Sequence, residues 1–220
     1  MKINATWHLA NKMPKNPNLE KRITWHIEHA NNCLCRPVPL KFQQTIDLTQ
    51  SLYDSMPVYP GDPEVTIKQA LTVAKDGWNM NVISLPVHIA THVNVPFHVM
   101  EGGRTLDDYP VGSFFGTSVV FRNLESIKTG VGLFFEHASI KDEVVGEIIK
   151  KRPKFIGVVG YFETDSELEK EKHLLKEGII SFEGLINVDQ LPRNKEFMFY
   201  ALPLKIKNGD GSPVRAIAVI

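Results

Sequence analysis

The chain has 220 residues, with 25 Lys+Arg balanced by 25 Asp+Glu, 43% hydrophobic and 23% charged content. A formal net charge of zero supplies no field to draw nucleic acid or anionic membrane, and no window reaches the apolar length of a membrane span. The length suits one domain, with at most a small appendage. The first ten residues hold Trp7 and His8 and no apolar core, so no signal peptide is read there. Asn16-Pro17 is a good helix start, and the spacing predicts a helix over residues 17–31 with Leu19, Ile23 and Ile27 near one stripe. His26 and His29 would share its face. Cys33 and Cys35 follow, so His26, His29, Cys33 and Cys35 offer two imidazoles and two thiols in ten residues, the ligand set of a tetrahedral zinc site. The alternative is a capped helix with exposed histidines and two ordinary thiols. Such close cysteines make a poor structural disulfide, and the chain is expected to be cytoplasmic. Arg36-Pro37-Val38-Pro39 reads as an extended linker. It separates a helical appendage, residues 1–42, from a domain over 43–220.

Beyond the linker, residues 43–49 read as a strand and residues 56–63, with three prolines and a glycine, as an ordered loop. Residues 64–73 and 79–89 read as strands joined at Asp76-Gly77, a hairpin signal. The second strand feeds Val87-His88-Ile89-Ala90-Thr91-His92-Val93-Asn94-Val95-Pro96-Phe97-His98, which holds three of the eight histidines. In extended chain His92 and Asn94 point to one side, and a turn after His88 would gather all of them around one point. Imidazoles with an amide or carboxylate oxygen suit zinc or manganese, and a histidine off the metal can move protons near neutral pH. The bland alternative is a buried strand with hydrogen-bonded histidines. Further on, residues 105–110 suggest a short helix, 117–123 and 131–135 strands, and 140–150 a helix capped by Ser139. Residues 155–161 read as a strand, 163–176 as a helix or solvated loop, 182–188 as one helical turn, and 197–206 and 214–220 as closing strands. Strands outnumber helices and are partly hairpin-linked. The fold class is therefore α/β, with a mixed, largely antiparallel sheet or barrel-like core and flanking helices.

The histidine segment resembles the signature His-x-Gly-Thr-His-x-Asp-x-Pro-x-His of the cyclase or kynurenine-formamidase-like metal-dependent hydrolases. It matches at His88, Thr91, His92, Pro96 and His98, and departs at Ala90 (Gly in the family) and Asn94 (Asp in the family). Family-like segments follow in order around Asp47, Asp62, Glu183, Leu202-Pro203 and Asp210-Gly211, so the resemblance covers roughly residues 45–220. It implies a cyclase-like β/β/α fold, a homodimer or larger assembly, and a divalent metal, zinc or manganese. The implied ligands are His88, His92, Asn94 and Glu183, with His98 as the proton-transfer group. A further family histidine is sought at His173, although alignment on Glu183 places that position at Glu171. Glu136 and His137 are substitute candidates. Asp62, Trp78 and Phe97 are candidates for the pocket of a small-molecule substrate.

The implied reaction is hydrolysis of an amide-type C–N bond, in an aryl formamide or a cyclic amide. The competing reading is a non-catalytic or metal-sensing homologue, supported by Asn94 and the displaced His173.

Overall fold

The computed structural model describes residues 4–33 and 43–220, and the chain divides into two compact units after Thr45. The first unit pairs helix α1 (Ala5–Ala10) with helix α2 (Leu19–Asn32). Asn4 caps α1 by accepting from the Trp7 amide, and Asn18 caps α2 by accepting from the Lys21 amide. The cap is therefore Asn18 and not Asn16, which sits in the left-handed region at φ 51°. Cys35 and the expected linker lie outside the described residues.

Strand β1 (Thr45–Asp47) starts at the boundary and leads into the second unit, followed by β2 (Thr66–Leu71), the short helix α3 (Val73–Asp76), β3 (Met80–Ser84) and β4 (His92–Asn94). Next come β5 (Phe115–Val120), β6 (Gly132–Phe135), α4 (Asp142–Lys151), β7 (Ile156–Val159), α5 (Asp165–Lys176) and β8 (Ser181–Leu185). The unit closes with β9 (Phe197–Tyr200), β10 (Gly211–Pro213) and β11 (Ile217–Val219). Strands β2 and β3 form their own antiparallel ribbon, and the rest form one sheet in the order β1-β11-β9-β5-β6-β7-β8-β4-β10. Its centre, β5-β6-β7-β8, is parallel, because α4 and α5 are the crossovers between β6, β7 and β8. The flanking pairs β11/β9, β9/β5, β8/β4 and β4/β10 are antiparallel. Just beyond β1 the sheet curls onto itself. Leu48 N donates to Ala216 O, Ile186 N donates to Leu48 O, and Thr49 bridges Leu185. The mixed α/β class with a barrel-like core is thus the observed one.

One face of the sheet holds an aromatic core. Phe134, Phe155, Phe182 and Phe199 are fully buried, with ring centroids 4.8–6.2 Å apart in mostly edge-to-face pairs. On the other face Val144, Val145 and Ile148 of α4 and Leu174 of α5 pack over Leu133, Phe135, Ile156 and Val158. Helix α5 starts at a capping box, with Thr164 accepting from Glu167 N and Glu167 accepting from Thr164 N.

Two expectations are corrected. Residues 182–188 are not a helical turn; all five residues of β8 are buried, between β4 and β7. A short apolar run cannot be told from a helix turn by period alone, and here its two-sided burial in the sheet decides. The expected closing strand over 197–206 ends at Tyr200, and Pro203 beyond it makes an isolated antiparallel bridge with Val214. Among the described residues, no helix is long and apolar enough to cross a membrane.

Candidate active site

Strand β4 lies between β8 and β10, and its pleat sets the site. In register, His92 faces Glu183 and Asn94 faces Ser181 on β8, while Pro213 and Gly211 lie opposite on β10. His92 and Asn94, two apart, point to one side. The turn before β4 passes through Ala90 at φ 51° and returns His88 to the same place. Thr91 fastens this turn: its hydroxyl donates to Gly184 O at 2.6 Å and accepts from Gln50 N at 2.9 Å. Gly211 makes room for His88, since a Cβ there would lie 2.6 Å from His88 Cε1.

His88 Nδ1 lies 2.7 Å from Asn94 Oδ1, and its Nε2 lies 2.8 Å from Asp210 Oδ2. His98 Nδ1 is 3.7 Å from the same Asp210 oxygen, and its ring is tilted against His88 at 3.9 Å. His92 Nδ1 donates to Ala90 O at 3.0 Å, so its Nε2 lone pair faces Glu183 Oε1 at 3.9 Å. Asn94 Nδ2 donates to Glu171 Oε1 at 2.7 Å and to Glu183 Oε1 at 2.5 Å. Carboxylates accept and an amide nitrogen donates, so this orientation of Asn94 is the one the chemistry requires. Ser181 Oγ and the Phe162 amide complete the carboxylates' partners.

Burial, and then the adjacent Glu171, push the Glu183 carboxyl well above its ordinary range. Burial lowers His92 to about 4, and burial followed by the neighbouring His88 lowers His98. Both rings are therefore neutral near pH 7, with lone pairs available. The donor set fits a divalent ion. Both nitrogens of His88 face oxygens, the arrangement in which a cation, proton or metal, sits between them, and His88, His98 and Asp210 bring three ligand atoms within 4.8 Å of one another.

The sequence-derived candidates divide accordingly. His88, His92, Asn94, His98 and Glu183 come together; His173 does not. Two residues along α5 from Glu171 is about 200° around the helix, so Glu171 turns inward, buried, while His173 is exposed in a groove between α4 and α5. Glu136 pairs with Arg193, and both it and His137 are exposed. Trp78, 65% exposed, follows α3, and Asp62 sits in the proline loop, where its amide bonds Tyr59 O. Among the described residues, no hydrogen bond or ring contact joins either of them to the histidines. Phe97 is half-exposed beside His98. Asp210 and Glu171 were missed as site residues. The signals were present: Asp210 opens a family-like segment, and Glu171 stands where alignment puts the family's histidine.

Relatives share this frame. The family model described as putative cyclase matches residues 46–151. The kynurenine formamidase of Salinibacter ruber is 30% identical over 204 residues, spanning 78% of this chain and 95% of its own. That of Bacillus cereus is 26% identical over 208 residues, spanning 81% and 98%. Among solved structures, isatin hydrolase A from Labrenzia aggregata superposes with a TM-score of 0.65 at 21% identity, over 81% of this chain and 94% of that one. A potential metal-dependent hydrolase with cyclase activity gives 0.64 at 23%, over 80% and 98%. With this fold, this motif and these relatives, the chain belongs to the cyclase family of hydrolases, the kynurenine formamidases among them.

Proposed function

We propose that the protein is a metal-dependent hydrolase that opens the C–N bond of an aryl formamide or a cyclic amide. The observation that carries this reading is the convergence of His88, His92, His98, Glu171, Glu183 and Asp210 at the β8-β4-β10 edge of the sheet. His88, His92, Glu183 and the Asn94 oxygen are the groups that the family resemblance would have hold a zinc or manganese ion, whereas the three ligand atoms within 4.8 Å of one another here belong to His88, His98 and Asp210. Such an ion lowers the pKa of a bound water towards about 7 and polarises a carbonyl. The chain supplies the rest. His98 is the least buried of the three imidazoles and its Nδ1 lies 3.7 Å from Asp210, which leaves Nε2 to take a proton from the attacking water and hand it to the leaving nitrogen. Half-exposed Phe97 offers an apolar surface beside it for an aryl group.

The test is an assay of the full chain, loaded with Zn²⁺ or Mn²⁺, on formanilides and on isatin. Hydrolysis of at least one class is expected, with both metal and activity lost from the His88→Ala/His92→Ala variant. No turnover with either ion, or activity indifferent to these substitutions, would overturn the reading. One observation favours a metal-sensing homologue instead: the Asn94 amide already occupies Glu171 and Glu183. That reading expects metal binding with no turnover.

A further inference from the structure

Among the described residues of the first unit, only His29 and Cys33 are buried. Helix α1 has no buried residue, and His29 is the only one in α2. The centre of this helix pair is thus polar and thiol-bearing, in a segment too short to be held by an apolar core. His29 and Cys33 are four apart on α2 and share a face. The hydrogen bond from Asn4 N to Cys33 O, 3.1 Å, draws the start of α1 to the end of α2 and brings His8 in.

His8 Nδ1 lies 3.2 Å from Cys33 Sγ and 2.9 Å from His29 Nε2, and the three atoms all lie within 4.8 Å of one another. One ring nitrogen carries either one N–H or one lone pair, so His8 Nδ1 cannot make two good hydrogen bonds. An ion between the three atoms satisfies all of them together. With Zn–N of about 2.0–2.1 Å and Zn–S of about 2.3 Å, neighbouring donors of a tetrahedral site stand roughly 3.3–3.6 Å apart, a few tenths of an ångström beyond the two close separations here. Trp25 stacks on His29 at 4.4 Å and Trp7 meets its edge at 5.7 Å, an apolar wall that keeps solvent off the imidazole.

We propose that His8, His29 and Cys33 bind a structural zinc ion that holds the first unit together. His8, far off along the chain, joins His29 and Cys33 of the set the sequence suggested; the ring of His26 packs edge-on against Trp25 at 5.1 Å, and Cys35 lies outside the described residues.

The site shares no residue with the histidine cluster of the second unit, so the two can be tested apart. Full-length His88→Ala/His92→Ala protein is expected to keep one zinc per chain. Adding His29→Ala and Cys33→Ser should remove it, with loss of the first unit's protection from proteolysis. In wild-type protein loaded with Co²⁺, thiolate-to-cobalt absorbance is expected, which an imidazole–carboxylate site cannot give. It should persist in Cys35→Ser and vanish in Cys33→Ser. No zinc in the His88→Ala/His92→Ala protein, no thiolate band in the wild type, or an undiminished band in Cys33→Ser would overturn the proposal. The wild-type spectrum decides even if a variant fails to fold.

Discussion

Asn94 is the hinge of the candidate site, because one side chain serves opposite polarities. Its oxygen faces His88, and its nitrogen holds two buried carboxylates side by side. Replacing it with the family's aspartate puts a third carboxylate where those two now find a donor. Metal-free Asn94→Asp should therefore be less stable by roughly 2–3 kcal/mol, the scale of a lost hydrogen bond to a charged group. It should bind Zn²⁺ or Mn²⁺ more tightly, because the ion neutralises the added charge. Thermal melts with and without metal check both parts; equal stability of the metal-free forms would show that the amide does not matter here. Ala90, the other departure, sits at φ 51°, where a Cβ is strained and glycine is not. Ala90→Gly should stabilise by up to about 1 kcal/mol in urea titrations. At His98, alanine should lower kcat by roughly 10²–10⁴-fold without moving the melt. Its ring acts as a base in the neutral form, and its pKa lies below 6.5, so activity should fall with acid only once pH drops below 6.5. An acid limb above that pH would point to another group.

Among the elements, the strongly punctuated ones were legible and the short buried ones were not. Helix α4 announces itself by an acidic first turn and a basic last turn, although its N-cap is Lys141 and not the expected Ser139, and residues 163–176, left open between helix and solvated loop, carry the same charge pattern and form α5. The histidine segment was legible as a cluster because its residue types are costly anywhere but in a site. What remained hidden was register. Glu171 and His173 differ by two positions, and only the helix phase, fixed by Leu174 and Leu175 packing inward, decides which of them turns towards Asn94. Strand β8 was hidden because its partners are remote in sequence. Its Gly184, at φ 65°, would place a Cβ 2.1 Å from Ala90 O, so the β4 turn and β8 meet backbone to backbone. Gly184→Ala should cost roughly 3 kcal/mol or more and weaken metal binding as well, by parting Glu183 from His92. Unchanged metal affinity in a folded variant would uncouple the contact from the site.

At the scale of the whole molecule, the ribbon of β2 and β3 stands out. Every residue of β3 is exposed, Val82 and Ile83 at 56% each, with Trp78 near its start. Two-stranded ribbons are marginal alone, and an apolar surface of this kind is a contact in waiting. A homodimer or larger assembly is expected, with a mass in light scattering at least twice the 24.8 kDa of the chain. Ile83→Lys with Trp78→Lys should shift it towards one chain, and a monomeric wild type would remove the expectation.

The strand order also sets an order of events. Asn94 meets Glu183 across 89 positions of sequence, and His88 meets Asp210 across 122. No early stretch of the chain can close around an ion; the histidines wait until β8 and β10 have docked on either side of β4. Docking needs no ion, because among the described residues every buried polar side-chain atom already has a partner. An ion proposed for the histidine cluster of the second unit would then be a late arrival to a finished frame, and a cell short of metal would accumulate chain whose second unit is folded and ready for loading.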